Sequence, residues 1–332
     1  MKRSLLFFVG LCLAMLLGVQ SAEAAKVMKA GYGFADNHYV GQSMHKFKEY
    51  VEEKTKGEIR VDLYPYLQLG NDKEVLESIK VGVAHMNLPN PSMLTNFVKD
   101  FALVSLPYVF PSQEVANKVV DGEVGQVLLK KLDAAGFVGL GFGDFGFRQL
   151  TNNLRPVTKL EDFKGLKIRT LQNPTHLAVF RALGANPTAM GWNEVFTALQ
   201  QGVIDGQENP YMQIYTFKLN EVQKYLTQTD HCYDMVVFVL GKKFFNALSA
   251  EEQAILREAT AVAQAYMRKS VKEEDAKALE GIKASGTQVT FLEPAEMERI
   301  RATAMEEVVK LGEKINPALF KSMLDAVAAE QK

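Results

Sequence analysis

The stretch of sequence that decides the fold lies between Gly141 and Tyr211 and contains three runs, Gly146-Phe147-Arg148, Lys167-Ile168-Arg169-Thr170 and Asp205-Gly206-Gln207-Glu208-Asn209-Pro210. Each run brings a polar side chain, Arg148, Arg169 or Asn209, to the end of a short apolar segment. An arginine presents a rigid fork of N–H donors that fits a carboxylate. Together the three residues would make a clamp for a small organic anion. Equally, both arginines would fit surface ion pairs with Asp144 or Glu161, which are common and contribute little.

The N-terminus has the pattern of a secretory signal peptide. Met1-Lys2-Arg3 is a short positive region, Leu5 to Val19 is almost wholly apolar, and Ala22-Glu23-Ala24 fits a cleavage site. The apolar run is short for a bilayer span. We therefore predict a signal peptide at residues 1–24, its removal, and a periplasmic location.

The composition excludes several classes of protein. Without residues 1–24 the chain loses Lys2, Arg3 and Glu23, so that 36 Lys and Arg residues face 38 Asp and Glu residues and the formal net charge is −2. A near-neutral balance argues against nucleic acid or an anionic membrane surface as a partner. Cys232 is the one cysteine left, so an internal disulfide is impossible. About 308 residues suffice for two domains with their own cores.

The order of elements is typical of an α/β protein. Strands predicted at 27–34, 59–63 and 84–88 alternate with helices, one over Val40 to Val51 and one from about Asp72 to Gly82. The same rhythm restarts with a strand at Gly165 to Thr170 and a helix that begins at Trp192.

Two apolar strands and one long helix are expected to join the two domains. Phe137 to Phe142 reads as the first crossing between them and Met235 to Leu240 as the return crossing. Ser249 starts a helix of some 35 residues in capping-box fashion, and such a helix would span roughly 50 Å and brace both domains. We predict one lobe of residues 25–143 plus about 235–270, and another of residues 144–234 plus about 271–332.

Motifs for catalysis, metals and cofactors are missing. The sequence has no Gly-x-Ser-x-Gly elbow, and its five histidines show neither His-x-His nor His-Glu-x-x-His spacing. The glycines around residue 141 match no phosphate-binding fingerprint. We expect no enzyme activity, no catalytic residue, no metal site and no cofactor.

Several other residues leave two interpretations open. Trp192 has the apolar spacing of a core residue, but a tryptophan in the first turn of a helix can also form the wall of a pocket. Asn209 precedes Pro210 and could be a turn residue. His38 and Tyr233 are equally ambiguous.

The ordered motifs resemble one known family. The runs 146–148, 160–169 and 192–210, in this order and with matching separations, are similar to those of the substrate-binding proteins of tripartite ATP-independent periplasmic (TRAP) transporters, the DctP type. The resemblance extends over essentially the whole mature chain. It includes the Leu69-Gly70 turn and the long C-terminal helices.

This resemblance implies a two-domain α/β periplasmic binding protein, in which hinged lobes close on the ligand and are bridged by the long helix. It implies that Arg169 receives the substrate carboxylate and that Arg148 and Asn209 are second-line contacts. Trp192 stands where the family usually has phenylalanine, so the cavity is expected to differ in shape. The remaining candidate ligand contacts are His38, Glu74, Asn90 and Tyr233.

The expected function is capture of a small organic acid and its delivery to the TRAP membrane permease by a monomeric protein. A C4-dicarboxylate, a sugar acid and an aromatic acid all remain open as ligands. The alternatives are a ligand-sensing module for a membrane receptor and, from a third class, a periplasmic enzyme.

Overall fold

The computed structural model describes residues 25–331 of the chain. The predicted signal peptide, residues 1–24, lies outside this range. Within 25–331, no helix combines the length and the apolar character that crossing a membrane requires.

Ten strands of the described chain form one mixed sheet. They are β1 (Lys26–Gly31), β2 (Ile59–Tyr64), β3 (Met86–Asn87), β4 (Phe137–Asn152), β5 (Lys167–Thr170), β6 (Asn186–Ala189), β7 (Gly206–Pro210), β8 (Tyr225–Gln228), β9 (Tyr233–Gly241) and β10 (Gln288–Phe291).

Twelve α-helices of the same range lie between or after these strands. They are α1 (Tyr39–Lys54), α2 (Asp72–Val81), α3 (Pro91–Leu94), α4 (Gln113–Asp121), α5 (Glu123–Lys131), α6 (Pro174–Ala182), α7 (Trp192–Gln200), α8 (Tyr211–Thr216), α9 (Lys242–Asn246), α10 (Ala250–Ala284), α11 (Pro294–Ile315) and α12 (Pro317–Ala329). Short 3₁₀ helices occupy Lys99–Ser105, Leu132–Ala135, Leu160–Phe163 and Leu219–Glu221.

Local sequence signals set the ends of the helices that matter most for the site. Helix α2 begins with a capping box in which Asn71 and Glu74 satisfy each other's backbone N–H groups, and it ends at Gly82 with a φ of 81°. Ser249 and Glu252 form the same motif at the start of α10. Both helices confirm the prediction from the sequence.

The central strand β4 carries the chain from one lobe to the other. The strand order is β2-β1-β3-β9-β4-β7-β5-β6, with β8 paired to β4 and β10 paired to β8. Residues 137–147 of β4 pair antiparallel with β9, whereas Arg148 to Asn152 pair with β7. The crossing that the sequence placed at 137–142 is therefore the first part of a longer strand. The apolar run expected to return the chain lies in β9, which pairs antiparallel with β4 and β3.

Helices cover both faces of the sheet, which explains why β9 is continuously apolar from Met235 to Leu240. Successive side chains of a strand point to opposite faces. Met235, Val237 and Val239 enter one hydrophobic cluster, while Val236 and Phe238 enter the other. A strand buried on both faces has no polar alternation.

Helix α10 braces the two halves of the molecule. It packs on α1 on one side of the crossing, on β4 itself and on α8 on the other side. The two C-terminal helices pack on different parts of the molecule. Helix α11 packs on α6, whereas α12 packs on α4 and α5. The lobe boundaries given above stay a prediction, and α12 is the segment whose contacts lie closest to the first lobe.

A buried ion-pair network holds the crossing strands together. The guanidinium of Arg148 in β4 donates to the carboxylate and the backbone carbonyl of Glu208 in β7, and to the carboxylate of Asp234 in β9. Burial lowers the pKa of Arg148, but the two carboxylates outweigh burial and raise the pKa above its ordinary value. His231 Nε2 lies 3.1 Å from the Glu208 carboxylate.

We predict that Arg148→Ala lowers the free energy of unfolding of the ligand-free protein by about 3–5 kcal/mol, because it leaves two buried carboxylates without their cation. Urea denaturation followed by circular dichroism measures the change. The control is Arg299→Ala, which removes an exposed pair with Glu161 and should lower stability by less than about 1 kcal/mol. Equal losses in the two variants would contradict this account of the network.

Candidate functional site

A cavity lies between the two lobes, where the crossing strand β4 meets the carboxyl ends of β5 and β7. The first lobe supplies apolar and polar parts of its wall, and the second lobe supplies both arginines and several amides. The polar lining residues are Asn71, Asp72, Asn90, Arg148, Arg169, Gln172, Asn209 and Gln213. The apolar ones include Phe34, Leu67, Met93, Phe145, Leu171, Met190 and Trp192.

Arg169 is a buried cation without an acidic partner. Its side chain is 3% exposed, and Nε and Nη2 both donate to the Met190 carbonyl, at 3.0 and 2.8 Å. The Trp192 ring lies 5.5 Å from its Cζ. No carboxylate within residues 25–331 forms an ion pair with it, and burial lowers its pKa to about 10. Because a buried charge is costly unless it is paired, the free side of this guanidinium is suited to an anionic ligand.

Arg148 lines the same cavity but is chemically different. All three of its nitrogens donate to Glu208 and Asp234. Both surface partners proposed from the sequence are engaged elsewhere: Asp144 accepts from Gln113, and Glu161 pairs with Arg299. Arg148 therefore forms neither of these surface ion pairs. Because it is paired with Glu208 and Asp234, it is also not free to act as a second receptor for an anion.

Asp72 places a carboxyl group on the first-lobe wall of the cavity. It is the first residue of α2 and is half-buried, with the cavity on its open side. Burial raises its pKa to about 7. The sequence interpretation used Asp72 only as the approximate start of a helix and named Glu74 as the candidate contact instead. The capping pattern was a usable signal, since it fixes Asp72 directly after the turn that enters the cleft.

Three other sequence candidates lie on the cavity wall. Asn90 caps α3 through Oδ1, which accepts from Ser92 N at 2.8 Å, and its amide donates to Asp234. Asn209 donates to Gln207 Oε1 at 2.6 Å. Trp192 has a buried indole N–H without a partner among the described residues. These three residues stay candidate ligand contacts, and all three line the same cavity.

The remaining three candidates are not among the cavity-lining residues. His38 caps α1 by accepting from Val40 N at 3.1 Å, and burial lowers its pKa to about 3. Glu74 is exposed and serves the capping box of α2. The Tyr233 hydroxyl donates to Asp144. Each has a structural role of its own, and for Tyr233 sequence alone could not reveal it because Asp144 is distant in the chain. The His38 ring contacts two cavity-lining residues, Phe34 and Phe145, with ring centroids 5.2 and 5.7 Å away, but does not itself line the cavity.

The residue types that line the cavity can bind an organic acid. Among the residues of 25–331 that line the cavity there is no serine, threonine, cysteine, histidine or lysine. The same range holds no group of three or more His, Cys, Asp or Glu side chains that could bind a metal ion. The cavity offers one cation without an ion-pair partner in the described chain, one carboxyl group and several amides.

Most of the chain matches a known family of proteins. A family model described as bacterial extracellular solute-binding protein, family 7 (DctP) matches residues 30–314. The C4-dicarboxylate-binding periplasmic protein DctP of Rhodobacter capsulatus is 37% identical over 303 residues, which cover 90% of this chain and 91% of that protein.

Solved structures are similar over the same range. The sugar acid binding protein DctPAm from Advenella mimigardefordensis strain DPN7T, in complex with galactonate, has a TM-score of 0.90 at 35% identity and covers 92% of this chain and 98% of its own. A TRAP periplasmic solute binding protein from Sulfurospirillum deleyianum DSM 6946, with bound succinate, has a TM-score of 0.86 at 34% identity, covering 91% and 99%. The chain belongs to the DctP family of solute-binding proteins, the substrate-binding subunits of TRAP transporters.

Proposed function

We propose that this protein captures a small hydroxylated acid with a single carboxylate, such as a sugar acid, in the periplasm and delivers it to a TRAP permease. The observation that carries the proposal is the buried Arg169 with no acidic partner in the described chain. A ligand carboxylate would neutralise this charge through charge-assisted hydrogen bonds, each worth about 1.5–3 kcal/mol.

The charges around Arg169 support one carboxylate in preference to two. Arg148 is already neutralised by Glu208 and Asp234, so it offers little to a second carboxylate. On the opposite wall, ionised Asp72 would repel a second anionic group and accept hydrogen bonds from hydroxyl groups. The amides of Asn90 and Asn209 can each donate and accept. This pattern favours a polyhydroxy acid such as galactonate over a C4-dicarboxylate such as succinate.

The binding event is proposed to involve no bond chemistry, because the cavity wall lacks a nucleophile and a base at hydrogen-bonding distance from one another. The periplasmic location, the cleaved signal peptide and the monomeric state remain part of the proposal. Unchanged ligand after prolonged incubation, followed by NMR, is the expected result.

Arg169→Ala should weaken binding of D-galactonate by about 2–5 kcal/mol, or roughly 30-fold to several thousand-fold, as expected when a buried charge pair loses one partner. Arg169→Lys should also bind poorly, because a point charge does not reproduce the guanidinium fork. Isothermal titration calorimetry measures both.

The matched control is Arg181→Ala, an exposed arginine of α6 in the same lobe, which should leave affinity unchanged. Ligand-free Arg169→Ala should keep its stability, in contrast to Arg148→Ala, since it removes an uncompensated charge. Wild-type affinity in Arg169→Ala would refute the assignment of the carboxylate receptor.

The preference for galactonate over succinate should rise by roughly 10-fold, equivalent to about 1.4 kcal/mol, as pH increases from about 6 to 8. Below its pKa of about 7 Asp72 is neutral and tolerates a second carboxylate, whereas above that pKa it is ionised and opposes one. Calorimetric titrations of both acids across this range measure the ratio.

Asp72→Asn should abolish this pH dependence and improve succinate binding relative to galactonate. Glu74→Gln, two residues further along α2 and exposed, should retain the wild-type profile. The role given to Asp72 is wrong if the two variants show the same profile.

A further inference from the structure

Two aromatic side chains, one from each lobe, are in contact beside residues that line the cavity. Tyr66 follows β2 in the first lobe, and Phe217 follows α8 in the second. Their ring centroids are 5.4 Å apart, with an angle of 47° between the ring planes. This separation is within the range of favourable aromatic pairs.

The contact continues into the ligand site through Trp192. The rings of Phe217 and Trp192 are 5.0 Å apart and nearly perpendicular. Trp192 in turn lies 5.5 Å from the guanidinium carbon of Arg169. A continuous series of contacts thus connects a first-lobe side chain to the cation that is proposed to receive the carboxylate.

The backbone on both sides is held in a form that L-residues rarely adopt. Tyr66 and Leu67 have φ values of 51° and 60°, and Lys218, next to Phe217, has a φ of 56°. The turn of Tyr66 is fixed by hydrogen bonds from its N–H to the Phe34 carbonyl, at 3.0 Å, and from Leu67 N–H to the Tyr32 carbonyl, at 3.1 Å. Left-handed conformations of non-glycine residues are unfavourable and are retained where the surroundings impose them.

Burial does not explain this geometry for Tyr66. Its side chain is 48% exposed, so it contributes little to the core of its own lobe. The strained turn places Leu67 in the cavity wall and directs the Tyr66 ring towards the other lobe. A contact between lobes exists only while the lobes are together.

We infer that Tyr66 and Phe217 form an aromatic latch, a cross-lobe contact that holds the closed state and keeps Trp192 against Arg169. Its role in ligand retention rests on the proposed function. Because the latch forms after the ligand has entered, it controls dissociation more than association. Tyr66 and Phe217 are positioning residues, since neither lines the cavity.

The kinetic test uses D-galactonate, with succinate as the second probe, in stopped-flow fluorescence. Trp192 is the single tryptophan of the chain and reports from within the contact series. Tyr66→Ala should raise the dissociation rate by about 2- to 10-fold, the range expected for an aromatic pair, and change the association rate less than twofold. Tyr66→Phe keeps the ring and should behave as wild type.

The double variant tests whether the two residues act on dissociation through one shared contact or independently of each other. Phe217→Ala should raise the dissociation rate at least as much as Tyr66→Ala, and adding Tyr66→Ala to it should have no further effect. Multiplicative effects of the two substitutions, or an unchanged dissociation rate in Tyr66→Ala, would overturn the inference.

A second measurement does not depend on the identity of the ligand. Spin labels at Val83→Cys in the first lobe and Leu154→Cys in the second, both exposed positions, report the lobe separation by pulsed electron paramagnetic resonance. Tyr66→Ala should give longer distances than wild type, and Tyr66→Phe should not. Identical distributions would overturn the latch, whereas failure of both acids to bind wild-type protein would count against the proposed ligand class alone.

Discussion

The charge of Arg148 is buried at the point where the central strand leaves one half of the sheet and joins the other. Up to Phe147 the strand β4 pairs with β9, and from Arg148 onward it pairs with β7. A buried guanidinium requires acidic partners, and Glu208 and Asp234 come from these two neighbouring strands. Charge pairing therefore reinforces the backbone hydrogen bonds at the crossing. The cleft walls adjoin this crossing, where Arg148 itself lines the cavity.

The same pairing determines which arginine is available to a ligand. With Arg148 neutralised within the protein, Arg169 is left as the cation whose charge has no acidic partner in the described chain. Asp72 faces the cavity from the first lobe, so the cleft has opposite electrical character on its two sides. Under the function proposed above, such a site would distinguish organic acids by where their second polar group lies, in addition to whether a carboxylate is present.

Much of the fold could be predicted because its signals are local. The capping box at Ser249, the helix end at Gly82, the apolar run of β9 and the ordered motifs of residues 146–210 all depend on residues that are near one another in the chain. Arg169, Asn209 and Trp192 came together on the cavity wall for the same reason, since strand ends and helix starts place them there. Asp72 was missed in favour of Glu74, because periodicity does not show which residue of a first helical turn faces a cleft.

The sequence by itself determined the family, the α/β architecture, the long bracing helix and the two arginines as the residues most relevant to an anion. Only the tertiary structure decided which arginine is free. The partners of Arg148 lie 60 and 86 residues away in the chain, and the contact between Tyr66 and Phe217 joins separate lobes. The neutralisation of Arg148 and the contact between Tyr66 and Phe217 both depend on residues that are close in space but far apart in the chain. No local pattern of residues encodes such proximity.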